Sequence, residues 1–481
     1  MRRIALAAVS AAALFPAAAQ ASPVLVFDGS RASQRDDRTV PSEDFSASPR
    51  PTQVAAASAS SGPRAARGPT VGEALAQLLS SGAIDRAEYD SRRDEYRAAV
   101  STARALRGRR RGELVAVIRR LDAIAARGDL VASRVRPLFL TLAMNRRWWA
   151  SAPIPADRSR VAFSGSRLVW EYYAGEGIQL QMLASFGKAN GLWQGHFDTG
   201  LRALLEELRP LAAHRAGGLA WESYFGWEGA PPPWVSAITQ GTAVQALARA
   251  YQRLHDPDYL ALGHQALAPF RTRAPSGVRA SGPMGPHYLI YSFAPRQRVL
   301  NSFVQSLVGL YDYAAISGDE IGAELFRTGE LEARHEVPAY DTGAWSLYQP
   351  HVESSLSYHE LVRGFLGKLC ERTAARVYCV TATRFERYTQ ESPRLANLAR
   401  LARARRPARL SFRVSKISQV VLTVRAGQRV LLRRTAQLGR GAHFFSWRPP
   451  RAGRYDLRVS ARDLAGNTGS AAGRLDVSGA R

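Results

Sequence analysis

One change of hydrophobic period constrains this chain more than anything else in it. From Val71 to about Ala404 apolar residues recur every three or four positions, and after Arg406-Pro407 they alternate. The first regime includes Leu75, Leu78 and Leu79, then Leu114, Val117, Ile118, Leu121 and Ile124. Tyr358, Leu361, Val362, Phe365, Leu366 and Leu369 give one unbroken stripe, and Ser236–Leu254 and Ser302–Ile316 carry others. Such spacing predicts amphipathic helices of ordinary length joined by Gly- and Pro-bearing loops, an array of helical hairpins. In the second regime Leu410, Phe412 and Val414 alternate with polar neighbours, as do Val420, Leu422 and Val424, then Tyr455, Leu457 and Val459. Turns such as Arg425-Ala-Gly-Gln428 separate these runs, which predicts a small all-β, Ig-like sandwich. The expected fold class is mainly α with that small β unit at the C-terminal end.

The beginning of the chain reads differently. Arg2 and Arg3, the apolar run Ile4–Ala19 and Ala19-Gln20-Ala21 have the pattern of a signal peptide over 1–21, so the expected location is secreted or cell-envelope associated. Residues 22–68, rich in Ser, Ala, Pro and Arg, read as a disordered tether. The remaining expected units are a helical N-terminal extension (69–150), the helical array (151–404) and the β-sandwich (405–481). Past the leader no apolar run approaches the roughly 20 residues of a membrane span. The formal net charge is +26, which favours polyanionic partners. For an exported chain nucleic acid is not the expected partner, whereas acidic polysaccharide, teichoic-type polymer or anionic lipid is. Lysine occurs only at positions 188, 368 and 416, so an arginine-favouring coding bias accounts for the excess equally well. Cys370 and Cys379 are the only cysteines. They suit a local disulfide in an oxidising compartment, and without a His pair nearby they predict no metal site.

The most unusual composition lies between His287 and His359. It includes His287-Tyr-Leu-Ile290-Tyr291, Leu300-Asn301-Ser-Phe303 and Tyr340-Asp-Thr-Gly343-Ala-Trp345-Ser-Leu-Tyr348, and it closes on Ser357-Tyr358-His359-Glu360. Ser357 with Glu360 has capping-box spacing for the helix that follows. These segments, with Pro233-Trp234-Val-Ser-Ala-Ile-Thr-Gln240-Gly241 upstream, resemble the C-terminal domain of D-glucuronyl C5-epimerases over roughly Trp170–Arg387. The resemblance implies an incomplete (α/α) toroid and inversion of C5 in hexuronate units of an acidic polysaccharide, with no cofactor. It implies catalytic roles for Tyr291, Tyr348 and Tyr358, and substrate contacts from Trp234, Gln240, Asn301, Trp345 and His359. Arg296, Arg298 and Arg363 are candidate cations because they lie near those tyrosines in the sequence. Ile290 stands where the family often has an acidic residue, and the β-rich N-terminal module of animal members has no counterpart.

Tyrosine suits the chemistry. Inverting C5 removes a carbon-bound proton from one ring face and returns one to the other, which needs an acid and a base on opposite sides. A phenol of pKa about 10 becomes a usable base only in a cationic pocket, which would also neutralise the uronate. Structural readings compete with the functional ones. Tyr358 opens an apolar stripe, Tyr291 sits among apolar residues, and Trp221, Trp227 and Trp234 could stack on sugars or fill a core. Two other functions remain open. One is a polysaccharide lyase using His287 or His359. The other is a noncatalytic glycan- or envelope-binding protein. Homodimerisation is left open as well.

Overall fold

The computed structural model describes residues 22–37 and 68–479. The expected leader (1–21) and the expected tether from 38 to 67 lie outside the described residues. The front of the tether differs from expectation. β1 (Ser22–Phe27) and β2 (Ala32–Asp37) form an antiparallel hairpin. Asp28 Oδ1 closes its turn, accepting from the N–H groups of Ser30 and Arg31, both at 2.9 Å. Phe27 is buried against Trp148 and Phe163 (ring centroids 5.4 and 6.0 Å), which is what orders the segment. A six-residue strand with two buried side chains is too short to register against its Ser- and Arg-rich surroundings.

Four helices follow: α1 (Val71–Ser80), α2 (Arg86–Ala105), α3 (Gly108–Ala126) and α4 (Ala132–Ser151). Thr70 and Glu73 cap α1 reciprocally, satisfying two otherwise orphaned amide groups. Arg109, Arg110 and Arg111 lie in the first turn of α3, where Arg110 Nε donates to the Trp149 carbonyl at 2.8 Å. The chain then returns to the first sheet with β3 (Arg160–Phe163), β4 (Trp170–Tyr173) and β5 (Gly177–Leu180), giving the order β2-β1-β3-β4-β5. The core runs without a break from this sheet and α1–α4 into everything up to Tyr388, so the expected boundary at 150 is not a seam in the packing.

The array consists of four hairpins, α5 (Met182–Gln194) with α6 (Asp198–Leu208), α7 (Ala237–Leu254) with α8 (Asp258–Gln265), α10 (Leu300–Ser317) with α11 (Glu320–Glu336), and α12 (Leu356–Thr373) with α13 (Arg376–Tyr388). Short pieces join them: β6 (Ala213–Arg215), β7 (Gly218–Ala220), α9 (Ala268–Arg271), β8 (Arg279–Ser281), β9 (Pro286–Tyr288), β10 (Leu347–Gln349) and β11 (Val352–Glu353). The first helices of the hairpins pack side by side in the order α5, α7, α10, α12.

These four inner helices run in the same direction. Met182 and Ala184 share a cavity with Ser236 and Ile238, while further along Arg249 bonds Asn190 at 2.9 Å. Gly241 abuts Ser306, and Arg249 and Arg372 both grip Asp312 (3.0 and 2.6 Å) near the far ends of α7, α10 and α12. Glycine is required where α7 and α10 cross. A Cβ on Gly309 would lie 2.0 Å from the Gly241 carbonyl oxygen, so only two glycines let these backbones approach so closely. All four inner N-termini therefore open at one end of the array.

Past α13 come β12 (Leu395–Ala396), β13 (Leu401–Arg403), β14 (Ala408–Val414), β15 (Ser418–Ala426), β16 (Arg429–Leu438), β17 (Gly441–Trp447), β18 (Gly453–Asp463) and β19 (Thr468–Ser478). They form a three-stranded sheet, β12-β14-β17, and a five-stranded one, β13-β19-β18-β15-β16. The alternating residues read from the sequence make the core shared by both sheets, and strand pairing starts at Leu395, before the expected boundary at 405. The β unit is keyed into the array by Lys416. This buried ammonium pairs with Asp463 at 2.6 Å, donates to the Tyr388 carbonyl at 2.7 Å and lies 5.4 Å from the Trp345 ring centre. Glu353 on β11 adds two links, accepting from the backbone N–H of Ile417 (2.9 Å) and of Arg440 (2.6 Å).

Candidate active site

Tyr348 and Tyr358 are brought together by a short hairpin and a helix cap. The Tyr340-Asp-Thr-Gly segment makes the turn before the hairpin. Asp341 Oδ1 accepts from Gly343 N–H and Thr342 Oγ1 from Trp345 N–H, both at 2.8 Å, with Gly343 at φ +78°. β10 then carries Tyr348, and β11 returns to Ser355. Ser355 caps α12 by accepting from Tyr358 N–H at 3.3 Å, so the capping residue is Ser355 and not the expected Ser357. The Tyr348 and Tyr358 rings meet edge to face, 4.8 Å between centroids. Both are more than nine-tenths buried.

His359 supports this corner and is not placed as a base. Its ring stacks on Trp345 at 3.8 Å and 7°, and it is fully buried. Nε2 faces the Phe385 carbonyl at 2.8 Å and must carry the proton there, which leaves Nδ1 to accept from the Ser346 hydroxyl (2.7 Å) and N–H (3.2 Å). Burial pushes its pKa down to about 4, against the pull of the Phe385 carbonyl. Trp345 is likewise sealed, its indole N–H donating to the Ser354 carbonyl at 2.9 Å. His287 is also buried; it bonds Glu336 at 2.8 Å, and burial lowers its pKa.

Tyr291 occupies the edge of a separate aromatic cavity at the N-terminal end of α5 and α7. Its ring is 5.6 Å from Trp234, 6.4 Å from Trp227 and stacked on Phe293 at 5.3 Å. The cavity, about 570 Å³ with its open mouth, is also lined by Tyr173, Phe225, Ser236 and Arg160. Arg158 lies beside it, its guanidinium 4.8 Å from the ring centres of both Tyr173 and Trp227. Arg160 pairs with the buried Glu171 at 2.5 Å. Ser236 is the N-cap residue of α7 but makes no side-chain cap bond, and its buried hydroxyl has no hydrogen-bond partner among the described residues. Tyr348 and Tyr358 are not among the residues lining this cavity. The two tyrosine groups share an end of the helical array.

The other expected contacts divide sharply. Trp234 lines the cavity. Asn301, in the first turn of α10, is buried, and neither carboxamide atom has a partner among the described residues. Gln240 is structural: it accepts from Trp221 N–H at 3.0 Å and donates to the Leu219 carbonyl at 3.3 Å. Arg298 is committed to Glu336 (2.6 Å) and the Ser281 carbonyl (2.5 Å). Burial works to raise Glu336, but His287 and Arg298 outweigh it and hold the carboxyl at about 2. Arg363 pairs with Glu386, and Arg296 is exposed. Proximity in sequence was a poor guide to the cations. Arg160 opens β3 and Arg158 lies in the turn just before it, and the only signal for them was the aromatic-rich Trp170–Tyr173 strand next to them. Of the three tryptophans weighed together, Trp221 is core, packed on Phe186 at 4.6 Å, while Trp227 and Trp234 line the cavity.

Cys370 and Cys379 are joined in a disulfide linking α12 to α13. Among the described residues no group of three or more His, Cys, Asp or Glu side chains could hold a metal ion, and no helix is long and apolar enough to cross a membrane.

The D-glucuronyl C5-epimerase of Caenorhabditis elegans is 33% identical over a stretch covering 24% of this chain, and the match spans only 21% of that relative's length. Among solved structures, a sugar epimerase from a ruminal bacterium aligns with a TM-score of 0.33 and 12% identity, over 44% of this chain and 59% of that one. A GH76 alpha-mannanase of Bacteroides thetaiotaomicron gives 0.36 and 11%, over 47% and 65%. Residues 218–387, from β7 into the last turn of α13, match the family described as D-glucuronyl C5-epimerase C-terminus.

Proposed function

We propose that this protein is an exported epimerase that inverts C5 of glucuronic-type units within an acidic polysaccharide, with Tyr291, Tyr348 and Tyr358 moving the proton. The observation that carries this reading is the common direction of the inner helices, which puts Tyr291 (at the α7 end) and Tyr358 (first turn of α12) at the same end of a family-matched array. Helix N-termini carry partial positive charge, so the end that bears the tyrosines also favours a carboxylate. Beside Tyr291, Arg158 and Arg160 both approach the single Glu171 carboxylate (3.8 and 2.5 Å), so the three groups together leave one net positive charge. Cation and helix dipoles together oppose the accumulation of negative charge as C5 loses its proton, and they lower the cost of a phenolate. Trp227 and Trp234 supply apolar ring faces for a pyranose. In this reading the β unit has an Ig-like topology, and the polymer is of heparosan type, bearing glucuronate.

The test is incubation of the full chain with glucuronate-bearing polymers in heavy water. Deuterium should enter at C5, and Tyr348→Phe and Tyr358→Phe should each slow incorporation by at least about 100-fold, the range expected for loss of a proton-transfer group. Absence of label across a panel of uronans would reject the epimerase. Chain cleavage with an ultraviolet-absorbing unsaturated end would assign a lyase instead. Full labelling by both phenylalanine variants would leave the tyrosines with packing roles alone.

A further inference from the structure

Charge is concentrated in one unit of this chain. Residues 405–481 hold 17 of its 66 basic residues but only 3 of its 40 acidic ones, a net +14 of the total +26. A coding bias toward arginine would raise Arg everywhere without withdrawing Asp and Glu from one unit. The depletion is therefore a property of this surface.

The charge is also organised. β14 turns Leu410, Phe412 and Val414 inward and Arg409, Ser411 and Arg413 outward. β17 sets Phe444 opposite Ser411, 48% exposed, with the Arg409 guanidinium 4.5 Å from its ring centre. At the edge facing the helical array, Arg394, Arg413 and Arg440 line a groove of about 870 Å³. Thr342 and Ala344 form its opposite wall, in the turn that leads through Trp345 to Tyr348. The carboxylate beside the groove, Glu353, is engaged by the backbone N–H groups of Ile417 and Arg440.

We propose that this groove and the adjoining Arg409–Phe444 strip bind an anionic polysaccharide, holding the polymer at a distance from the unit being inverted. The proposal takes its polymer from the epimerase reading, but the binding surface stands on its own geometry. Guanidinium forks match carboxylates and sulfates bidentately, and an exposed phenyl ring offers a face for a sugar. Individual exposed ion pairs are weak and salt-screened. Their strength here comes from repetition along a polymer and from linkage to a second site on the same chain, which turns the second binding event into an intramolecular one.

The experiment uses the full chain, with heparosan polymer, a heparosan tetrasaccharide and neutral dextran as probes. Arg413→Ala/Arg440→Ala should weaken polymer binding by about tenfold or more and flatten its salt dependence. The control, Arg433→Ala/Arg458→Ala, removes the same charge from the outer face of the five-stranded sheet and should change binding less than about twofold. Dextran should not bind, and C5 labelling of the tetrasaccharide should be the same in wild type and both variants. Equal weakening by the two double variants would reduce the effect to net charge and overturn the proposal, as would unchanged binding by the groove variant. If the wild type labels no polymer yet the groove variant alone loses binding, the epimerase reading fails and this one stands. If labelling proceeds and polymer affinity ignores the groove, only this proposal fails.

Discussion

His359 is held neutral by its packing, and that sets how the protein responds to acid. In an unfolded chain a histidine takes up a proton near pH 6.5, whereas burial holds this ring at about 4. The unfolded state therefore binds more protons through that window. The contribution of His359 is complete above pH 6.5, shrinks as pH falls, and is gone below about 4, a loss of about 3 kcal/mol. Urea titrations at several pH values should show the wild type losing stability between pH 6.5 and 4, with the slope reduced in His359→Gln. A slope unchanged by the substitution would mean that the ring is not held neutral. At this scale the turn before Tyr348 and the helix start at Tyr358 were legible, because Tyr-Asp-Thr-Gly and Tyr-His are local patterns. The sequence could not disclose the partners of Arg298 and Arg363, nor Arg160, because ion pairing and cavity lining join residues that are distant along the chain.

At the scale of elements, the closest approach in the helical array is the α7–α10 crossing. A methyl group on Gly309 would meet backbone, which cannot rotate away as a side chain can. Gly309→Ala should therefore destabilise by at least about 3 kcal/mol, the upper range for overpacking. Gly364→Ala, at a helix position with open space around it, should be neutral or slightly stabilising by helix propensity. Comparing their thermal midpoints checks this, and equal midpoints would mean that the two helices are not packed so closely. Long helices were legible because α7, α10 and α12 repeat their apolar stripe over several turns. The β1–β2 hairpin was not, since its order comes from Phe27 docking on Trp148 and Phe163. Ser355 and Ser357 show the same limit at finer grain: both residue types suit a cap, and only the entry path of the chain from β11 selects the first.

For the molecule as a whole, the most exacting contact is Lys416 beneath Trp345. Its ammonium and the Asp463 carboxylate are both 1% exposed, so removing one leaves the other charged and buried. Lys416→Met should cost about 3–5 kcal/mol, and Lys416→Met/Asp463→Asn should recover much of it. Chemical denaturation of the two variants measures this, and equal losses would show that the pair is not coupled. The two halves of the chain were legible separately, since the change of period marks the transition from one to the other. Their joint was not, because a lone lysine in the bend between two alternating strands has no pattern to announce it. That joint has an evolutionary consequence. A β unit of this kind would ordinarily be a cassette, traded between proteins without disturbing what it is attached to. Here Glu353, five residues after Tyr348, is threaded into the unit's backbone, so exchanging the cassette would mean recutting the hairpin that carries the tyrosine.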